Sequence, residues 1–410
     1  MTNPAPLPFD QRFSPEMKFL FAAARPFMTE DEGRGLRDLS ASVRDWREFA
    51  ALIQRHRLPG LVFANLKRFA RDELPPLLYQ SLRQQAKRNR LREMAACAEI
   101  TRLNRMLRAK NIPVIFLKGP PLSMQLYGGL GFRHSRDLDI LIPPKDIDAA
   151  TQALKANGYK LQDENSIPAI RQRRAFLHWF HHFEYINPAN GDLLELHWKL
   201  MENSFLLLPG FEQTAMERAA SMDFGNETIN VLSWPDNFLY LCAHGANHGW
   251  FRLKWLCDIA AFFRHPQTHD WERVAAETSR LGLERPVAQA AELSNRLLGA
   301  PVPGPMRTVC LRTVPLLAQL VESAEGFILK SETEYYAKGK FNRVSSGLYL
   351  VKLRKEWKFK LQTLAQTWIV KKDWDEFPLP DSLFFLYFFL HPFLWLRRCF
   401  GRGRARQAKP

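Results

Sequence analysis

The chain has 410 residues, 46 % of them hydrophobic and 24 % charged, with a formal net charge of +16 at pH 7. Those proportions are those of a globular protein rather than a disordered one, with length enough for two or three domains that each bury a core. The basic excess favours anionic partners (nucleotides, nucleic acid or anionic lipid) without choosing among them.

The five cysteines, Cys97, Cys242, Cys257, Cys310 and Cys399, are odd in number and show no metal-site or disulfide spacing, which fits a reducing cytoplasm. The start, MTNPAPLPFDQRF, lacks a basic region followed by an apolar core, so no signal peptide is expected and a cytoplasmic location is.

In chain order, residues 1–110 read as a helical region. RDWREFAALIQRHRL (44–58) carries apolar residues at helical spacing. Residues 76–110, rich in Leu, Arg, Ala and Gln and free of internal Gly, predict one long amphipathic helix. Asn111-Ile112-Pro113 should end it and launch a strand over 114–119. A short helix is predicted over 120–128, a second strand over 137–143 and a helix over 145–158 with Gly158 at its C-terminal end. HHFEYINPANGDLLELHW predicts a hairpin turning at Asn190-Gly191, with Leu193, Glu195 and His197 on one face of its second strand. From residue 235 the chain returns to helix up to about 265, with Gly245 and Gly249 as candidate breaks. Further helices are expected at 271–299 and 306–330, and a basic aromatic-bearing helix at 346–372. The division expected is 1–110 helical, 111–234 a mixed α+β core, 235–375 helical, and 376–410 an aromatic helix with a basic tail.

The chemistry concentrates in VIFLKGPPLSMQLYGGLGFRHSRDLDILIP (114–143). Asp137 and Asp139 are two apart on a predicted strand, so both carboxylates point the same way. Converging carboxylates in an apolar strand need a neutralising cation, and oxygen ligands suit magnesium on a substrate polyphosphate. Lys118-Gly119, at a strand-to-helix turn, could hold that polyphosphate through an ammonium and backbone N–H groups. Glu195, inside apolar LLELHW, is the candidate third carboxylate, with Glu184 on the partner strand a weaker rival. The bland alternatives are aspartates solvated or paired with Arg133 and Arg136, and a Glu195 paired with His182 or His197. Arg133 is a candidate phosphate ligand, and His197 shares the face of Glu195. His244 and His248, one helical turn apart, lack an adjacent Glu or an obvious third ligand and read as packing or substrate contacts rather than a metal site. Asp258 and Arg252 could pair with each other or reach the site.

The segment SLFFLYFFLHPFLWL (382–396) is too short to span a bilayer and is interrupted by His391-Pro392. It reads either as a core-packing helix with a basic tail or as a membrane-surface helix whose Arg397, Arg398, Arg402, Arg404 and Arg406 meet anionic lipid.

As a set, LKG, LY, Arg133 with DLDILI, Gly158-Tyr159, ELHW and the H-x-x-x-H-x-W-x-R-L-x-W-x-x-D run from His244 to Asp258 resemble an uncharacterised bacterial nucleotidyltransferase family of the DNA polymerase β-like superfamily. DWREFAALIQRHRLPGLVFANL resembles that family's helical lead-in, so the likeness spans about 45–265. The resemblance implies a small mixed sheet carrying helices, and an enzyme that binds an NTP (ATP the expected donor) and Mg2+. It implies Asp137, Asp139 and Glu195 as the catalytic and metal-binding carboxylates, and Lys118, Gly119, Ser123, Arg133 and His197 as nucleotide-binding residues. Pro120 follows where the superfamily usually offers an N–H to phosphate, so phosphate cradling must differ, with Lys118 or Ser123 as substitutes. The expected function is magnesium-dependent transfer of an NMP to a hydroxyl acceptor that the sequence does not identify. The alternative is a non-catalytic binding module of the same fold, associated with a membrane surface. A nucleic-acid polymerase is not favoured, since no nucleic-acid-binding motif is recognisable.

Overall fold

The computed structural model describes residues 12–162, 173–267, 269–336 and 347–407. Its centre is a mixed seven-stranded sheet in the order β3-β4-β5-β2-β1-β7-β6. The strands are β1 (Ile115–Phe116), β2 (Asp137–Leu141), β3 (Lys160–Leu161), β4 (His182–Ile186), β5 (Leu193–His197), β6 (Ala220–Phe224) and β7 (Glu227–Val231). The fold is α+β, with helical regions on both chain flanks of the sheet.

Local sequence explains the central strands. The Asn190-Gly191 turn forms as the pattern requires. Gly191 takes φ 76°, where side chains are strained, and its N–H donates to the Asn187 carbonyl at 2.7 Å. β4 and β5 then pair antiparallel, and β5 pairs parallel with β2. Period-two alternation divides each strand. Leu138, Ile140, Leu194, Leu196 and Trp198 enter one buried core with Ile100, Leu103 and Leu107 of the long helix Pro76–Arg108 and Leu154 of helix Ile147–Ala156. The opposite face, with Ile115, Leu117 and Leu141, packs on a second core. That core joins the N-terminal helices, through Phe19, Phe49 and Leu61, to the later helices, through Phe238, Leu256 and Leu293. The polar ends of β2 and β5 therefore face a helical body rather than open solvent.

The run expected to be helical over 235–265, with Gly245 and Gly249 as candidate breaks, is two helices, Trp234–Asn247 and Leu253–Arg264. The break falls at Gly249 and Trp250, both in the left-handed region at φ 59° and 57°. Gly245 stays helical, and the Trp250 indole lies against it where a Cβ would sit, so the position admits no side chain. The segment predicted as one helix over 346–372 is interrupted: its described part runs helical at 347–350, turns, and resumes as Trp357–Trp368, while residue 346 lies outside the described residues. The hairpin β6–β7 carried no prediction, yet its β7 pairs parallel with β1 and extends the sheet.

The aromatic C-terminal segment forms a 3-10 turn, Asp381–Leu386, and a helix, Tyr387–Gln407, with Pro392 inside it. Tyr387 and Leu394 are buried and Phe384 packs on Trp374, whereas Phe385, Phe389 and Phe393 are exposed. Arg398 pairs with Asp373 at 2.6 Å. The side chains of Arg402, Arg404 and Arg406 lie outside the described residues. Among the described residues, no helix is long and apolar enough to cross a membrane.

Candidate active site

The parallel register of β2 on β5 sets Asp139 directly beside Glu195, and Asp137 and His197 lie on the same face, two residues away along their strands. This face opens on a cavity of about 280 Å³, walled by the sheet on one side and the helical body on the other. Asp137, Asp139, Glu195, His197, Lys118 and Arg133 all line it.

Asp139 is nearly inaccessible, its side chain 3 % exposed, while Glu195 retains 25 %. Lys118 Nζ lies 3.2 Å from Asp139 Oδ1. Burial alone would raise the Asp139 pKa, but the Lys118 ammonium and the His197 ring hold it well below the usual carboxylate range. The same pairing works in reverse on Lys118: burial pulls its pKa down, but Asp139, Tyr240, Glu195 and Asp137 together outweigh burial and hold it above the ordinary lysine value.

His197 Nε2 lies 3.0 Å from Glu195 Oε2 and 3.3 Å from Asp139 Oδ1, and Nδ1 lies 3.2 Å from the Lys199 carbonyl. Both ring nitrogens face acceptors, which an imidazolium satisfies by donating from each. Burial would lower its pKa, but the two carboxylates raise it above the usual histidine value. His197 therefore sits on the cavity floor and orients both carboxylates. Glu195 has the His197 partner anticipated for it, and Glu184, its antiparallel neighbour, is exposed and pairs with His182 instead.

Arg133 takes a partner that its spacing did not suggest. Its side chain is 2 % exposed and Nε lies 3.0 Å from Asp258 Oδ2, with the Tyr127 hydroxyl donating to Asp258 Oδ1 at 3.0 Å. Arg252, rather than joining Asp258 or the site, pairs with Glu332 and donates to the Arg55 carbonyl at 3.1 Å. Gly119 opens helix Gly119–Tyr127 at φ 65°, next to Lys118, with Pro120 and Pro121 in its first turn. Ser123 is fully buried and donates to the Gly129 carbonyl at 2.8 Å, away from the cavity wall.

Several wall residues were missed in the sequence because distant segments supply them. Arg57 comes from the left-handed end of helix Trp46–His56, and Lys254 and Trp255 from helix Leu253–Arg264. His181 precedes β4 and His182 opens it, and the doublet was the one local signal. Burial and the positive charges of Arg133 and Arg57 bring Lys254 down to about 7. His244 and His248 also line the cavity, their rings 4.7 Å apart, with His248 stacked on Trp255 at 5.1 Å.

Among the described residues, three overlapping groups bring donor atoms within 4.8 Å of one another: Asp139, Glu195 and His197; His181, His182 and His197; and His182, Glu184 and Glu195. A cavity with three carboxylates at its floor and Lys118, Arg57, Arg133 and Lys254 around it can hold a polyphosphate together with a cation.

The sequence pattern of the uncharacterised nucleotidyltransferase family matches residues 42–299, well over half of the chain. No curated protein and no solved structure matches it. The chain belongs to the uncharacterised nucleotidyltransferase family.

Proposed function

From membership of a nucleotidyltransferase family, we propose that the protein transfers an NMP from an NTP, ATP being the expected donor, to a hydroxyl acceptor, with Mg2+ at the carboxylates. We read it as a bacterial member of the DNA polymerase β-like superfamily. The observation that carries the proposal is the register that sets Asp139 beside Glu195, with Asp137 on the same face and a ring of cations opposite.

A divalent metal fits this donor set, since oxygen ligands from Asp137, Asp139 and Glu195 face one cavity and suit magnesium. When bound, the metal would neutralise charge on the transferring phosphoryl group. Asp137 and Asp139 would hold it, with Glu195 completing the site. Lys118, kept charged by Asp139, is placed to turn toward a phosphate oxygen, and Arg57 and Lys254 flank the same space. Arg133, tied to Asp258, offers a fixed positive field rather than a free hand for phosphate. Glu195, the more accessible carboxylate, takes the proton of the acceptor hydroxyl. The acceptor oxygen then bonds to the α-phosphorus as the bond to the β-phosphate oxygen breaks, and pyrophosphate leaves. His197 holds Glu195 in place.

The test is incubation of wild type and Glu195→Gln with α-labelled ATP, Mg2+ and fractionated lysate. Label transferred by wild type and lost by at least 100-fold in the variant supports the reading, in line with the ~10²–10⁴-fold value of a positioned base. Equal transfer by both removes Glu195 from it.

A further inference from the structure

A second cavity, of about 340 Å³, adjoins the first, and Glu202 and His248 line both. We propose that it is the acceptor subsite and that it takes a neutral, ring-shaped polyol, a sugar or a cyclitol, presenting one hydroxyl to Glu195. This rests on the nucleotidyl-transfer reading above.

Charge separates the two cavities. The first is ringed by Lys118, Arg57, Arg133 and Lys254. Among the described residues lining the second there is no Lys or Arg, and its one carboxylate is Glu202 at the shared rim. Among the described residues of this wall, an acceptor carrying phosphate would meet no Lys or Arg to neutralise it, so sugar phosphates and RNA ends are poor occupants.

Hydrogen-bonding capacity points the same way. The side-chain oxygens of Asn203 and Asn247, both on the wall, are buried and find no hydrogen-bond partner among the described residues. Asn203 is 4 % exposed, and its amide nitrogen donates to Thr363 Oγ1 at 3.2 Å, which leaves its oxygen as the open acceptor. A buried acceptor left without a donor is unfavourable. Hydroxyl donors of a ligand would relieve both oxygens without adding charge.

The remaining wall is aromatic and held still. Tyr349 donates to the Ala246 carbonyl at 2.8 Å and meets Phe327 edge-on, their centroids 5.4 Å apart. Tyr335 donates to the His248 carbonyl at 2.9 Å. Phe327 lies so close to Gly249 that an added Cβ there would meet its ring at 2.5 Å. Fixed apolar faces combined with neutral amides suit a ring with one C–H face and several equatorial hydroxyls, and the volume lies in the range of small-molecule sites, roughly 300–1,000 Å³.

The experiment is ligand-observed NMR on the full chain with Mg2+ and a non-hydrolysable ATP analogue. The probes are glucose, N-acetylglucosamine and myo-inositol, set against glucose 6-phosphate and a short RNA. It is paired with α-labelled ATP transfer to the same compounds. The expected result is saturation transfer to a neutral polyol, weakened at least 10-fold in Asn203→Leu and in the milder Gln366→Met, whose amide lines the same cavity and donates to the Glu202 carbonyl, with label moved to that polyol by wild type. Circular dichroism melts identify a variant that has lost its fold, and Gln366→Met then decides. ATP analogue bound without any polyol contact, preference for the phosphorylated probes, or polyol contact without label transfer each overturns the acceptor assignment while leaving nucleotide binding standing. Failure to bind the ATP analogue sinks the transfer reading itself, and the acceptor subsite with it.

Discussion

Asp139 and Glu195 are cross-strand neighbours in the parallel pair β2–β5, and the buried His197 imidazole reaches both of their carboxylates. A slip of one residue would turn Glu195 and His197 into the apolar core and Leu194 and Leu196 toward the cavity. The hydrophobic alternation that builds the core therefore also assembles the carboxylates.

The ion pair between Lys118 and Asp139 is buried on both sides, with side chains 13 % and 3 % exposed. Removing one partner strands the other's charge. Lys118→Met is expected to cost ~3–5 kcal/mol of stability by urea denaturation. It should also weaken ATP binding measured by calorimetry. A Lys118→Met protein as stable as wild type would show that the pair is not buried as described.

Arg133 and Asp258 join the loop before β2 to helix Leu253–Arg264 and are nearly inaccessible, at 2 % and 0 % exposed. Asp258→Ala should lower unfolding free energy by ~3–5 kcal/mol. The double variant Arg133→Met/Asp258→Leu, which leaves no orphan charge, should recover a large part of that loss. A double variant as unstable as the sum of the two singles would contradict this.

Lys254 supplies a pH dependence. Its pKa of about 7 in the folded chain lies below the ordinary 10.5, because burial and the positive charges of Arg133 and Arg57 disfavour the ammonium. Between those values the unfolded chain binds more protons, so stability should rise as pH increases from 7 toward 10.5. Below pH 7 both states are protonated and this contribution stops changing. In Lys254→Met the rise between pH 7 and 9 should be shallower than in wild type, as followed by urea midpoints. Parallel curves would assign the dependence to other groups.

Much of this was legible locally. DLDILI and LLELH alternate with period two, and Asn190-Gly191 marks the hairpin, so the shared face of Asp137 with Asp139 and that of Glu195 with His197 followed from spacing, whereas the parallel pairing of β2 on β5 that joins the two faces did not. What lay hidden depends on tertiary contacts. Arg57 and Lys254 come from segments nearly 200 residues apart that meet only through the shared helical core. Arg133 is paired by Asp258, 125 positions away. The helix breaks at Gly249 and Trp250, while Gly245 serves the packing of the Trp250 indole, a role that composition does not carry.

The C-terminal helix gives a further test. Phe385, Phe389 and Phe393 are 54 %, 68 % and 70 % exposed; Phe389 and Phe393 share one face of the helix, and Phe385 lies in the 3-10 turn just before it. Replacing all three by Ser should leave the thermal midpoint nearly unchanged, since they contribute little to the core. If the face touches anionic lipid, flotation of the full chain with phosphatidylserine vesicles should fall in the triple variant. Equal flotation, or none by either protein, removes membrane contact from the account.

The central claim is tested most directly by transfer of label from α-labelled ATP with Mg2+ in wild type, Asp137→Asn and Asp139→Asn, alongside circular dichroism of each. The account predicts label transfer by wild type and loss of at least 100-fold in Asp137→Asn with the fold retained. Undiminished transfer by a folded Asp137→Asn protein would contradict it.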